Sequence, residues 1–336
     1  MNAKSSIMTA AGPIASDAIG ATLMHEHIFT MNAEHYAEHP ETFNEEAELE
    51  HAVELLDRLS DLGFSTLVDC TVLGLGRNVY RIAKLARRTK INIVVSTGVY
   101  AMHEVPRYFA LRGPGTLLGG DDPITAMMIE DIVNGVGDSG VRAGMIKMVV
   151  ESDNPATQRI ARAVADAHQQ TGAPITVHTN GTADAGRIAV RMLLEGGVDL
   201  TRVVLGHAGE SDDLDYLKWA CDLGAFVGFD RIGADVVRKY EDYTSTLKHM
   251  LTAGYATQVV VSHDAACSMQ HFRDDYGRRA YEKLTPHWNY ELIPTRVIPE
   301  LRAAGHGDDT IRTIFVDNPN RILCGGAVVG PETNGG

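Results

Sequence analysis

A single closed (β/α)8 barrel is the fold predicted by this sequence of 336 residues. Three observations predict it. Short apolar runs alternate with longer amphipathic segments from end to end, with no polar linker long enough to separate domains. Histidine, lysine and aspartate recur at the ends of several runs, where the strands of a barrel converge on one centre. A doubly wound open sheet, the runner-up, would spread those residues along an edge and carry a glycine-rich phosphate turn after its first strand. LGLGRNVY (73–80) contains GxG but not GxGxxG.

In chain order, the strand candidates are ATLMHEHIF (21–29), STLVDCT (65–71), INIVVSTGVY (91–100), AGMIKMVV (143–150), PITVHTN (174–180), RVVLGHA (202–208), GAFVGFD (224–230) and TQVVVSHDA (257–265). Most are rich in Val, Ile or Leu throughout, as strands covered on both faces should be. Helical patterns lie between them. In ELEHAVELLDRLSDLG the apolar positions 49, 52, 53, 56, 59 and 62 make one helical stripe, which Gly63 stops. NVYRIAKLARRT (78–89), ATQRIARAVADAHQQTG (156–172) and LDYLKWACDLG (214–224) read the same way. VIPELRAAG and IRTIFVDNPNRIL follow the last strand as helices that cover the barrel. The barrel is expected over 14–323, with terminal extensions at 1–13 and 324–336.

Composition narrows the partners. A formal net charge of −14, without long runs of like charge, argues against nucleic acid or an anionic membrane surface. Four scattered cysteines, at 70, 221, 267 and 324, do not make a disulfide scaffold and suit a reducing compartment. The first 24 residues lack the basic and apolar regions of a signal peptide, and no stretch approaches 18 uncharged apolar residues. A cytoplasmic protein without a membrane span is the expectation.

LMHEHIF (23–29) opens the chemistry. In a strand, His25 and His27 point to one face and Glu26 to the other. Two imidazoles on one face can share a metal ion; alone, they can equally be surface residues of an edge strand. The other strand ends add Lys147 in MIKMVV, His178 in ITVHTN, His207 in VVLGHAG and Asp264 in VVVSHDA. Four imidazoles and a carboxylate exceed what one catalytic zinc with an open position takes, and suit two adjacent ions. Lys147 sits in an apolar run where a free ammonium is costly to bury. A lysine carboxylated by carbon dioxide would offset that cost and bridge both ions. His263 should point away from Asp264, towards the helices.

With these motifs in place, LMHEHIF, the lysine of GMIKMVV, the histidines of TVHTN and LGHAGE, and SHD at 262–264 resemble the phosphotriesterase family of the amidohydrolase superfamily. The resemblance runs from about Ile14 to Leu323. It implies a barrel with a binuclear centre of divalent ions, zinc first, with Co2+, Mn2+ or Fe2+ as substitutes. One ion would take His25, His27 and Asp264, the other His178 and His207, and an N6-carboxylated Lys147 would bridge them. Within the family the chain is most similar to the phosphotriesterase-like lactonases. Tyr100 of GVY matches a tyrosine over the metals, and Arg231 of GFDRIG matches an arginine of the substrate loop. In those lactonases the eighth loop forms a lid over an acyl-chain channel; here it spans 265–290 and includes Trp288. Many of them have cysteine two places after the metal-binding aspartate, where this chain has Ala266, with Cys267 one place later.

The implied reaction is the opening of lactone rings, N-acyl homoserine lactones or relatives, with a promiscuous phosphotriesterase activity. Asp264, Tyr100 and Arg231 would be its catalytic residues, and Tyr100, Arg231 and Trp288 would contact substrate. The alternatives are a primary phosphotriesterase, a hydrolase of another ester, and a non-enzymatic metal-binding scaffold. The resemblance also implies a homodimer.

Overall fold

The structure, a computed structural model, describes residues 6–324. Of the extensions expected at 1–13 and 324–336, residues 1–5 and 325–336 lie outside that range. The chain opens with a hairpin of β1 (Ser6–Thr9) and β2 (Gly12–Ala15), paired antiparallel. The strands that follow are β3 (Ala21–Thr30), β4 (Phe64–Asp69), β5 (Asn92–Gly98), β6 (Met145–Val149), β7 (Ile175–His178), β8 (Val203–Gly206), β9 (Phe226–Phe229), β10 (Val259–Val261) and β11 (Ala266–Met269). They form one parallel sheet in the order β10-β9-β8-β7-β6-β5-β4-β3-β11.

The sheet curls until its ends meet. β10 and β11 are two halves of one final strand, interrupted at residues 262–265. Its first half pairs with β9 and its second with β3, where Ala266 lies opposite His27. Asp264 N–H donates to His25 O at 3.1 Å, and His27 N–H donates to Ala265 O at 2.8 Å, across the break. The predicted strand runs all appear, in a (β/α)-type barrel rather than an open sheet.

Helices cover the outside for the reasons their sequences supply. The first long one, Glu45–Asp61, starts at Asn44, whose side chain accepts from Ala47 N–H. Glu45, Glu46 and Glu48 lie at the positive end of its dipole. Leu49, Ala52, Leu56 and Leu59 of the predicted stripe are buried, while Leu62, past the helix end, is exposed. The predicted segments 78–89, 156–172 and 214–224 appear as Val79–Ala86, Pro155–Thr171 and Leu214–Asp222. Among the described residues, no helix is long and apolar enough to cross a membrane.

Two apolar clusters hold these layers together. The larger lies between sheet and helices. The smaller gathers Met24, Val68, Val94, Met145, Val204, Phe226 and Val260 with Ile7 of the hairpin and Ile322 and Leu323 of the last helix. The hairpin is therefore part of the packing, although residues 6–13 carry no sequence pattern that marks them so. Ile7 is 2% exposed, and burying such a side chain contributes about 1.5–3 kcal/mol.

Backbone requirements then shape the open end. Gly98 ends β5 with φ 136°, and a Cβ there would lie 1.9 Å from Lys147 O. Only glycine lets β5 and β6 approach that closely just before Tyr100.

Candidate metal centre

The C-terminal ends of the strands bring the expected residues together. His25 and His27 come from β3, Lys147 from β6 and His178 from the last position of β7. His207 and Asp230 each follow the last residue of a strand, and Asp264 lies in the break between β10 and β11. All seven are at most 8% exposed. His207 (φ 64°) and Asp264 (φ 54°) are the non-glycine residues with positive φ among those described. Backbone strain of this kind persists only where the surroundings over-determine it, and it clusters at functional sites.

Two groups of three can hold a metal ion: His25, His27 and Asp264, and His25, His207 and Asp230. In the first, Asp264 Oδ1 lies 3.2 Å from His27 Nε2 and 3.6 Å from His25 Nε2. In the second, the Asp230 oxygens lie 2.9 Å from Nδ1 of His25 and 2.9 Å from Nδ1 of His207, and His207 N–H donates to Oδ1 at 2.8 Å. A ring that gives Nδ1–H to a buried carboxylate keeps a lone pair on Nε2. His207 Nε2 lies 2.9 Å from His178 Nδ1 and 3.8 Å from Asp264. Thus His178 belongs to neither triad, yet it adjoins the second through His207.

The charges fit cation binding. Burial, and then the Lys147 ammonium, pushes His25 down to about 3, so the ring is neutral. Burial and neighbouring His207 likewise lower His178 well below the ordinary histidine value. Burial alone would raise Asp264, but Arg231 and the adjacent imidazoles hold it well below the usual carboxylate range. Burial also opposes ionisation of Asp230, and His207 and His25 overcome it. Neutral imidazoles beside ionised carboxylates are the protonation states that divalent metals require.

Lys147 corrects one expectation. The two triads consist of histidine and aspartate, and neither contains a carboxylated lysine. Lys147 is an amine whose Nζ lies 2.7 Å from His25 Nε2, buried to 1% exposure. The apolar run that suggested carboxylation is real, and the Lys147 amine meets it by pairing with the His25 ring at Nε2. A binuclear site bridged by carboxylated Lys147 is therefore not the arrangement found.

The residues assigned to substrate lie at different distances from this cluster. Tyr100 has its hydroxyl 3.4 Å from His178 Nε2 and its ring edge-on to that imidazole at 5.1 Å. Burial pushes its phenol up to about 12. Arg231 donates from Nε to Asp264 Oδ2 at 2.7 Å and from Nη1 to Glu210 Oε1 at 2.8 Å. Trp288 donates Nε1–H to His263 O, in the break between β10 and β11, at 2.5 Å and stacks on Tyr281. Together with Ala266, Cys267, Phe272 and Tyr281 it lines a cavity of about 930 Å3 that begins at Ala265, next to Asp264. Cys267, raised to about 12 by burial, is a neutral thiol there.

Sequence reasoning missed Asp230, Glu210 and Glu151. Asp230 had a usable signal, since it closes the apolar run GAFVGFD much as Asp264 comes near the end of its own. Glu210 is recognisable only once His207 is placed, three residues earlier. Glu151, whose Oε1 lies 3.2 Å from His178 Nε2, follows β6 and had no distinguishing pattern.

Comparison with known proteins agrees with this geometry. The profile of the Phosphotriesterase family matches residues 5–323. A phosphotriesterase homology protein of Mycobacterium tuberculosis is 41% identical over 318 residues, 94% of this chain and 96% of that one. An aryldialkylphosphatase of Saccharolobus solfataricus is 34% identical over 317 residues, 92% and 96% of the two chains. The solved structure of the phosphotriesterase from M. tuberculosis superposes with a TM-score of 0.90 at 40% identity, covering 95% of this chain and 98% of that one.

Proposed function

Since the chain belongs to the phosphotriesterase family of the amidohydrolase superfamily and is a metal-dependent hydrolase, we propose that it opens lactone rings, with N-acyl homoserine lactones or similar acyl lactones as substrates. Phosphotriester hydrolysis is the secondary activity. The observation that supports the reading is a cavity whose lining includes Ala265, the residue after Asp264, and whose apolar part, from Ala266, Phe272, Tyr281 and Trp288, suits an acyl tail beside the charged Glu48, Arg273 and Arg278. A compact triester would leave such a space unfilled.

The donor set fits two divalent ions. His25, His27 and Asp264 would hold one; the group of His25, His207 and Asp230 marks the second, where we place His207 and the adjoining His178 as ligands, with Asp230 orienting the rings of His25 and His207 from behind. Divalent ions at such a site supply Lewis acidity and acidify water. The chain's own residues do the rest. Arg231 fixes Asp264, so that its carboxylate is ionised and can take the proton of the attacking water. Asp264 then delivers that proton to the ring oxygen as the acyl C–O bond breaks. The Tyr100 hydroxyl, protonated at neutral pH and pushed up to about 12 by burial, donates a hydrogen bond to the carbonyl oxygen as charge develops there. The homodimer that the family resemblance implies accompanies this reading.

The favoured alternative is a primary phosphotriesterase, supported by the name of the aryldialkylphosphatase relative. A substrate panel separates the two. The enzyme, stripped and reloaded in turn with zinc, cobalt or manganese, is assayed on short- and long-chain acyl lactones and on a chromogenic triester. The expected result is higher kcat/KM on an acyl lactone, rising with tail length until the cavity is filled. A triester preferred over every lactone would overturn the assignment.

A further inference from the structure

We propose that Glu26, which faces away from the metal centre, is the positioning residue that fixes Asp264 in it. The inference rests on the reading above in which Asp264 is a metal ligand and proton acceptor. Glu26 lies between His25 and His27 in sequence, so strand alternation sends its side chain to the opposite face of β3. There it is fully buried. Its Oε1 accepts from His263 N–H at 2.9 Å and from His263 Nδ1 at 2.9 Å, and its Oε2 accepts from Ala265 N–H at 2.9 Å. The two clamped amides flank Asp264.

Asp264 is where such a clamp is needed. It occupies the break between β10 and β11, where regular ladder pairing stops, and its φ of 54° is one that non-glycine residues rarely hold. Its N–H is taken by His25 O at 3.1 Å. The N–H before it, at His263, and the N–H after it, at Ala265, are both taken by Glu26. One side chain thus sets the backbone on either side of the strained residue, and the Asp264 carboxylate is aimed before any ion arrives.

The proton positions follow from the donors. Ile293 N–H donates to His263 Nε2 at 3.1 Å, so that nitrogen is bare. Nδ1 carries the proton and gives it to Glu26, and His263 is a neutral ring between the carboxylate and the segment that follows the eighth loop. Every partner of Glu26 is a donor, and both oxygens are used. An amide in its place would turn an N–H2 towards an N–H on one side or the other. Glu26→Gln keeps the shape and removes the clamp.

The test uses the full chain, titrated calorimetrically with cobalt or zinc after metal removal, and assayed for kcat and KM on the preferred ester. Glu26→Gln is expected to keep one metal equivalent at wild-type affinity and to weaken the other about 10–100-fold. Its kcat should fall by a similar factor while KM moves less than about threefold. A variant that keeps both equivalents and kcat within about twofold, or that loses both equivalents in parallel, overturns the proposal. Asp264→Asn, measured alongside, separates two failures. If it retains full rate and metal content, the assignment of Asp264 is at fault; if it is inactive while Glu26→Gln behaves as wild type, only the clamp is. Hydrogen exchange on metal-free wild-type protein is independent of any variant's folding. The His263 and Ala265 amides should exchange slowly there, and fast exchange that slows only on adding metal would overturn the proposal.

Discussion

Replacing Asp230 by asparagine tests whether one carboxylate aligns both rings of the second triad. Asp230 is fully buried and takes three donors, two on Oδ1 from His207 and one on Oδ2 from His25. Asparagine has the same shape but one acceptor oxygen. Turning its N–H2 towards His207 would sacrifice two bonds, so the N–H2 will face His25 Nδ1. That pairing sets donor against donor, and the clash costs about 1–3 kcal/mol while it lasts. The ring relieves it by moving its proton to Nε2, which takes away the lone pair that pairs with Lys147 Nζ and would face an ion beside Asp264. Loss of an orienting partner of this kind typically costs about 10–100-fold in metal affinity, equivalent to about 1.4–2.7 kcal/mol. The two routes give the same size of effect. A two-site calorimetric titration of metal-free Asp230→Asn, with kcat measured on reloaded protein, should show the loss at the ion that shares His25. Affinities for both ions within about twofold of wild type would refute the alignment argument.

Three further outcomes are expected. Tyr100→Phe, which removes a hydroxyl without opening a cavity, should lower kcat on acyl lactones by about 10–1,000-fold with little change in metal content; an unchanged kcat would remove Tyr100 from the chemistry. Gly206→Ala places a Cβ 3.1 Å from His25 Cε1 and 2.8 Å from Val177 O, so it should displace the His25 ring and weaken metal binding without unfolding the barrel, as read by metal titration and circular dichroism. The metal-free protein should lose stability in acid. Burial and the Lys147 ammonium hold His25 at about 3 in the folded chain against 6.5 in the unfolded one. The unfolded chain therefore binds the proton first as pH falls. The contribution of neutral His25 is complete above 6.5 and is lost on the way down to about 3. At about pH 4.5 it amounts to roughly 2–3 kcal/mol, and His178, lowered in the same direction, adds to it. Thermal melts from neutral to acid pH should show Tm falling, and a flat profile would contradict the buried neutral ring.

The barrel was legible because strand burial and helix amphipathicity are local properties. Val and Ile runs at 91–100 and 202–208 and the stripe from Leu49 to Leu59 state their environment in their own spacing. The convergence of His25, His27, His178, His207 and Asp264 was legible for a related reason. Each lies in or just after the C-terminal half of an apolar run, and barrel geometry sends those halves to one place. What the sequence could not state depends on distant pairings. The partner of Lys147 is the His25 ring, 122 positions away on another strand. Arg231 carries no pattern that distinguishes a substrate contact from its bonds to Asp264 and Glu210. Glu26 looked like the outward residue of a strand, and its partners lie 237 positions away. The hairpin at 6–15 was hidden because Ala, Gly and Pro break up its apolar residues, although Ile7 and Ile14 pack with the barrel floor.

The split final strand also governs when this protein can finish folding on the ribosome. β3 borders β4 on one side, but its other edge stays unpaired until residues 266–269 emerge. At about 5–20 residues per second, the roughly 240 intervening residues take on the order of 10–50 seconds to synthesise. Through that interval the nascent chain displays an open parallel edge bearing Leu23, Ile28 and Phe29, a template for pairing with other chains. The seam at Asp264 is thus also the last step of closure, and slowing its arrival should raise aggregation of newly made protein while leaving the finished barrel unchanged.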